Sequence, residues 1–155
     1  MYWRHNRSLV RPQLEYCAAV WDPYTSDLIH QIEAVQRRAA RFVKNDYDRR
    51  SSVSAMIDNL EWGTLAHRRK ITRVTVFHKA IEGHLSIPVR NLLRPVQRST
   101  RRSHSKSFIE LQTNKDCYKY SFIPRTVIDW NNLPQNLINI EDSKLFKQQL
   151  QIHYQ

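Results

Sequence analysis

The stretch Ile32–Val43, IEAVQRRAARFV, with Lys44 directly after it, decides how this chain is read. Extended back to Leu28, its apolar positions Leu28, Ile32, Val35, Ala39 and Phe42 follow steps of four and three residues. At about 100° per residue such positions keep to one side of an α-helix, so the spacing predicts a helix with an inner stripe. Arg37, Arg41 and Lys44 fall opposite the stripe and Arg38 falls on its flank. Two readings of these arginines stay open. Cations offset the negative end of a helix dipole, and they also make a surface that holds a polyanion.

On the N-terminal side, Pro12 suits the first turn of a helix carrying Leu14, Cys17, Ala18 and Trp21, which Pro23 closes. Thr25 or Ser26 caps the Leu28–Lys44 helix, and Asp27 stands at its positive end. Ser51 or Ser52 caps a short helix through Val53, Met56, Ile57 and Leu60. Thr64 caps a longer one that stops near Gly83. In that longer helix Ile71, Val74, Phe77, His78 and Ile81 share a face, and Arg68, Arg69, Arg73 and Lys79 lie away from it. After a Pro-bounded connector, RSTRRSHSKS (98–107) has neither an apolar residue nor an acid and reads as a mobile basic arm. FIELQTNKDCYKYSF (108–122) holds two β-prone runs around a polar turn, the pattern of a hairpin. Pro124 opens a helix with Val127, Ile128 and Trp130 that ends at Leu133-Pro134. Asp142 or Ser143 caps a last helix with Leu145, Phe146 and Leu150. The expected fold is mainly α: a helical part (8–93), a basic arm or linker (94–106), and a short β-hairpin plus C-terminal helices (107–152), packed as one domain overall.

With 155 residues, 41% of them hydrophobic, and four Trp, five Phe and seven Tyr, the chain has material for a core. Two glycines favour helices over a turn-rich β fold and exclude a Gly-rich phosphate loop. No run is long and apolar enough to span a bilayer, and the first residues lack a signal peptide's apolar region. An intracellular, nuclear or cytoplasmic, setting is expected. Cys17 and Cys117 cannot make a four-ligand zinc site by themselves. The net charge of +11 is unevenly placed. Residues 1–62 carry +1, residues 63–106 carry eleven Lys/Arg against Glu82 alone, and residues 107–155 are neutral. Such concentration is the footprint of a docking polyanion.

Catalytic patterns are weak by comparison. Asp46 with Asp48, and Glu141 with Asp142, are the nearest paired carboxylates, and both read as turns or caps before they read as a two-metal site. No Gly-x-Ser-x-Gly elbow exists. Cys17 falls on an apolar helix face, His78 reads as a hydrogen-bonded core histidine, and no histidine pair has zinc spacing. The stronger signal is cationic: Arg37, Arg38, Arg41, Arg68, Arg69, Arg73 and Lys79 on helices, with Arg94, Arg98, Arg101, Arg102 and Lys106 along the arm. These are the expected contacts to a nucleic-acid backbone, salt-dependent and largely blind to base sequence. Phe108, Tyr118, Tyr120 and Phe122 are candidates for base stacking, with core filling the use of at least half of them.

Four blocks carry a family resemblance: SLVRPQLEYCAAVWDPY, IHQIEAVQRRAARFV, LEWGTLAHRRKITRVTVFHKAIEG and YKYSFIPRTVIDWNNLP. In this order they resemble the C-terminal region of reverse transcriptase polyproteins from jockey-like, LINE-type non-LTR retrotransposons, over about Ser8 to Leu150. The resemblance implies a fragment that lacks the polymerase palm, its catalytic aspartates and the endonuclease. It implies a non-catalytic segment of an RNA-directed DNA polymerase that grips RNA template or target DNA, with no cofactor, metal, membrane or small-molecule substrate. Two alternatives stand beside it: an interaction module that packs on the upstream polymerase segment, and a retroelement remnant without function.

Overall fold

The computed structural model describes residues 11–97 and 103–154. It is mainly helical. In chain order the helices are α1 (Arg11–Glu15), α2 (Ala18–Trp21), α3 (Ser26–Lys44), α4 (Val53–Asn59), α5 (Leu65–Ile81), α6 (Val89–Leu92), α7 (Asp116–Lys119), α8 (Phe122–Asn131), α9 (Gln135–Ile138) and α10 (Ser143–His153). Two compact units result, Met1–Lys70 and Ile71–Gln155, so the division falls inside α5 and not at the basic arm.

Local chemistry sets most of the boundaries. Ser52 caps α4 by accepting the Ala55 N–H (3.3 Å), and Thr64 Oγ1 accepts the His67 N–H at the start of α5 (3.2 Å). Asp142 accepts the N–H groups of Lys144 and Leu145 at the start of α10, and these bonds hold its carboxyl below the usual carboxylate range. Gly83, at φ 80°, follows α5 in the left-handed conformation that stops a helix. Asn45 does the same for α3 at φ 51°, returning N–H groups to the carbonyls of Phe42 and, through Asp46, of Arg41.

The first unit departs from the expected stripe. α3 buries Gln36 and Ala40; Ile32, Val35 and Ala39 are half-buried, while Leu28 (49%) and Phe42 (54%) face solvent. The inner face is therefore turned by about one residue. Gln36 explains the turn: its Nε2 donates to Gly63 O (3.1 Å) and its Oε1 accepts from Arg68 Nη2 (2.8 Å). Glu33 Oε1 accepts the Ala66 N–H (2.9 Å) on the same side. Buried polar groups must find such partners, and here they outweigh an apolar stripe. The first helix is also broken: Cys17 sits at φ 51° between α1 and α2, and it is exposed, not on a core face.

The second unit has the apolar core. Ile71, Val74, Phe77 and Ile81 of α5 meet Val127 and Trp130 of α8 and Phe146 and Leu150 of α10. Phe77 packs edge-on to Trp130 (5.4 Å between centroids) and to Phe108 (6.0 Å). His78 lies flat on Phe146 (4.0 Å, 11°), with Nε2 at 2.7 Å from Ile140 O and Nδ1 at 3.5 Å from Ser143 Oγ. A carbonyl can only accept, so Nε2 carries the proton and the serine hydroxyl donates to Nδ1. His104 holds Trp130 O (2.9 Å) in the same way.

No strand forms among described residues 107–122. The β feature there is an antiparallel bridge, Pro95 to Phe108, and Asp116–Lys119 is a helical turn in place of the hairpin's second arm. The reason lies in the backbone bonds. The Asn131 side-chain amide takes both the N–H and the C=O of Phe108 (3.0 and 2.8 Å), and Ile109 N–H goes to Arg94 O (2.8 Å). A partner from 117–122 would find these groups occupied. The same bonds anchor the described ends of the arm, together with Val96 N–H to Ser107 O and Trp130 Nε1–H to Lys106 O.

Burial lowers the proton affinity of His78 and His104 below the ordinary 6.5. Below pH 6.5 the unfolded chain takes up protons that the folded chain refuses, so stability falls as pH drops from there towards the folded-state values. Thermal melts should show a lower Tm at pH 5.5 than at pH 7.5. Replacing His78 by Gln should shrink that difference, and an unchanged pH dependence would contradict the assignment.

Candidate nucleic-acid interface

The cations that sequence singled out have divergent fates. Arg69 is buried in the first unit, with Nε at 2.8 Å from Asp22 Oδ1; the Asp22 carboxylate is itself nearly inaccessible. Arg68, half-buried, pairs with Glu15 (3.2 Å) besides its bond to Gln36. In the second unit Arg73 is buried and paired with Asp129, and Lys106 bonds Glu82 (2.7 Å). For Arg69 and Arg73 the expectation of an outward phosphate contact is corrected: they lie within the fold, where a charge must be paired. Arg68 and Lys106 are partly committed in the same way.

Lys79 is half-buried beside a shallow depression of about 620 Å³ lined by Glu82, His84, Glu141, Asp142 and Lys144. Its three carboxylates outnumber its two lysines, so it offers no net attraction to a polyanion. Arg94 is exposed. Arg98, Arg101 and Arg102 lie outside the described residues. Of the stacking candidates, Phe108 is buried and Phe122 half-buried against Phe77, whereas Tyr118 is exposed.

What the structure does bring together is the end of α3 and the loop after it, all within the first unit. Arg37, Arg38 and Lys44 are exposed, and none forms an ion pair among the described residues. Arg41 turns its Nη1 onto the carbonyls of Asp46 (3.4 Å) and Asp48 (2.9 Å), keeping its charge while drawing the loop onto the helix. Asp46 Oδ1 accepts the Asp48 N–H (3.0 Å), and Asp48 Oδ1 accepts the Arg50 N–H (2.9 Å). The Ser51 side chain, the Asp48 N–H and Arg41 hold the Asp46 carboxyl below its ordinary 3.8. Both carboxylates thus serve as acceptors for the loop's own backbone. Arg49 and Arg50 are left exposed without an acidic side-chain partner among the described residues.

Residues 37–50 carry six cations against two acids. A helix C-terminus presents roughly half a negative charge, so dipole compensation accounts for only a fraction of them. Sequence places Lys44 on the outer face of the helix without counting it among the expected contacts, and passes over Arg49 and Arg50. The signal that would have found them is the repeat of Asp at 46 and 48, whose side chains cap successive backbone N–H groups as turns do.

Among the described residues no three His, Cys, Asp or Glu side chains gather as a metal site, and no helix is long and apolar enough to cross a membrane.

The division between buried and exposed cations has a measurable consequence. Asp22→Asn strands the Arg69 charge and should cost about 3 kcal/mol in a denaturant melt, the scale for breaking a buried pair. Arg37→Ala should stay within about 0.5 kcal/mol, as exposed substitutions do. Equal effects would mean that Arg69 is not held as described. The chain matches no protein-family model, no curated protein and no solved structure.

Proposed function

We propose that this chain is a non-catalytic nucleic-acid-binding element, the C-terminal segment of a retroelement RNA-directed DNA polymerase, and that it grips the sugar–phosphate backbone of RNA or DNA. The observation that carries the binding reading is the group of exposed cations at Arg37, Arg38, Lys44, Arg49 and Arg50, with no carboxylate paired to them among the described residues. Cations placed this way have no stabilising role that the fold requires, and their mutual repulsion is relieved by a polyanion. The four sequence blocks in family order support the polymerase assignment, and Arg98, Arg101 and Arg102 add charge by sequence.

Each phosphate contact releases condensed counterions, so about four contacts to duplex DNA should weaken binding roughly 10²-fold between 50 and 200 mM salt. Fluorescence anisotropy at these two concentrations is the test. Arg49→Glu with Arg50→Glu should flatten the salt slope by about two contacts. A slope that these reversals leave untouched would defeat the assignment of the site, and no binding at low salt would defeat the function. The polymerase assignment has its own check: an in-frame palm upstream of the Met1 codon is expected in the genomic DNA. Its absence would remove the retroelement reading and leave nucleic-acid contact to stand on charge.

A further inference from the structure

Resting on that reading, we infer that the α3–loop site takes single-stranded polynucleotide, with an unstacked base laid on Tyr47. The ring is 63% exposed, and its hydroxyl makes no hydrogen bond among the described residues. Its backbone, by contrast, is firmly held. Arg41 Nη1 bonds the carbonyls on either side of it, Asp46 O and Asp48 O, and the two aspartate turns close the same loop. Tyr47 is therefore presented at a set position in the loop, with Lys44 before it in the chain and Arg49 and Arg50 after it. Phe42, also exposed, stands one helical turn after Arg38.

A lone exposed aromatic needs no explanation. One pinned in a loop that links Lys44 to Arg49 and Arg50, none of them paired to a carboxylate among the described residues, does, because charge alone would be served as well by a polar residue there. Duplex offers phosphates to the cations but keeps its base faces stacked inside, so the tyrosine ring gains little from it. A single strand offers both: phosphates for Arg37, Arg38, Lys44, Arg49 and Arg50, and a base face for the ring. Alternation of cations with exposed rings is how sequence-tolerant single-strand sites are built. Stacking uses the face that every base has, so little preference among bases is expected.

The test uses the full chain and anisotropy with a labelled single strand, as RNA and as DNA, against a blunt duplex of equal length at low salt. The single strands should bind more tightly than the duplex. Tyr47→Ala should weaken them about 5- to 10-fold, the lower end of what a stacked base contributes, while moving duplex affinity less than about 2-fold. Tyr47→Trp should retain single-strand affinity, and the new indole's emission should be quenched on binding. Circular dichroism melts of both variants should nearly overlay the parent, because the ring is largely exposed. Duplex bound as tightly as single strand, or a Tyr47→Ala loss that is absent or equal on both, would overturn this inference and leave backbone binding intact. Absence of binding to any of the three would overturn both.

Discussion

A guanidinium taken out of water must meet a carboxylate, and α5 obliges this chain to meet that requirement twice. The helix buries side chains around much of its circumference, with Leu65, Ile71, Val74, Phe77 and His78 joined by Arg69 and Arg73. An unpaired charge at either position would cost several kcal/mol. Asp22 is drawn in to Arg69 in the first unit and Asp129 to Arg73 in the second. Each pairing then fixes a neighbour. Asp22 follows α2 directly, and Asp129 sits on α8 beside Trp130, the aromatic centre of the second unit.

This explains why counting charge along the chain did not foresee the burial of Arg69 and Arg73. Residues 63–106 hold a net +10 by sequence, but the acids paired with Arg68, Arg69 and Arg73 come from elsewhere: Glu15 and Asp22 from before the block and Asp129 from after it. Glu82, the one acid within the block, pairs with Lys106. The early part of the chain, almost neutral by count, commits five of its eight acids to partners within the fold. Glu15 and Asp22 bind arginines, Glu33 caps the first turn of α5, and Asp46 and Asp48 close a loop. Arg37, Arg38, Lys44, Arg49 and Arg50 remain exposed. Linear sums therefore mark how much charge there is, and the fold decides where it is uncompensated.

What could be read from sequence was local chemistry with a short range. Ser52, Thr64 and Asp142 cap where their hydroxyls and carboxylate predict, Gly83 stops α5, and His78 is the hydrogen-bonded core histidine its position suggests. The misreadings, Cys17 apart, involve a partner distant in sequence. Gln36 turned α3 because Gly63 and Arg68 lie across from it. The hairpin yielded to Asn131, more than twenty residues from Phe108, whose amide reproduces the bonds of a neighbouring strand. Cys17 left the helical pattern at a left-handed residue that nothing in its neighbourhood of leucine and alanine signals. Of the candidate site, Arg37, Arg38 and Arg94 were legible as exposed cations. Arg69 and Arg73 were not, since helical periodicity distinguishes one face from another only when one face meets solvent.

The two units also differ in what holds them. The second closes on aromatic rings and needs its two histidines neutral; the first has a modest apolar interior, with Ala18, Ala19, Ala40, Met56 and Leu65, and relies on Gln36, Arg68, Arg69 and their acceptors. Polar networks are directional and fix geometry more narrowly than apolar contact does. That suits the element that carries the candidate site. Arg41 extends the same device into the loop, where one guanidinium sets the path of the chain on both sides of Tyr47. A cationic surface built only on flexible lysines would attract a polyanion equally well, but each side chain would lose its freedom on binding. Here the backbone that bears Tyr47, Arg49 and Arg50 is held by the loop's own hydrogen bonds, so under the proposed function less of the attraction would be lost to ordering.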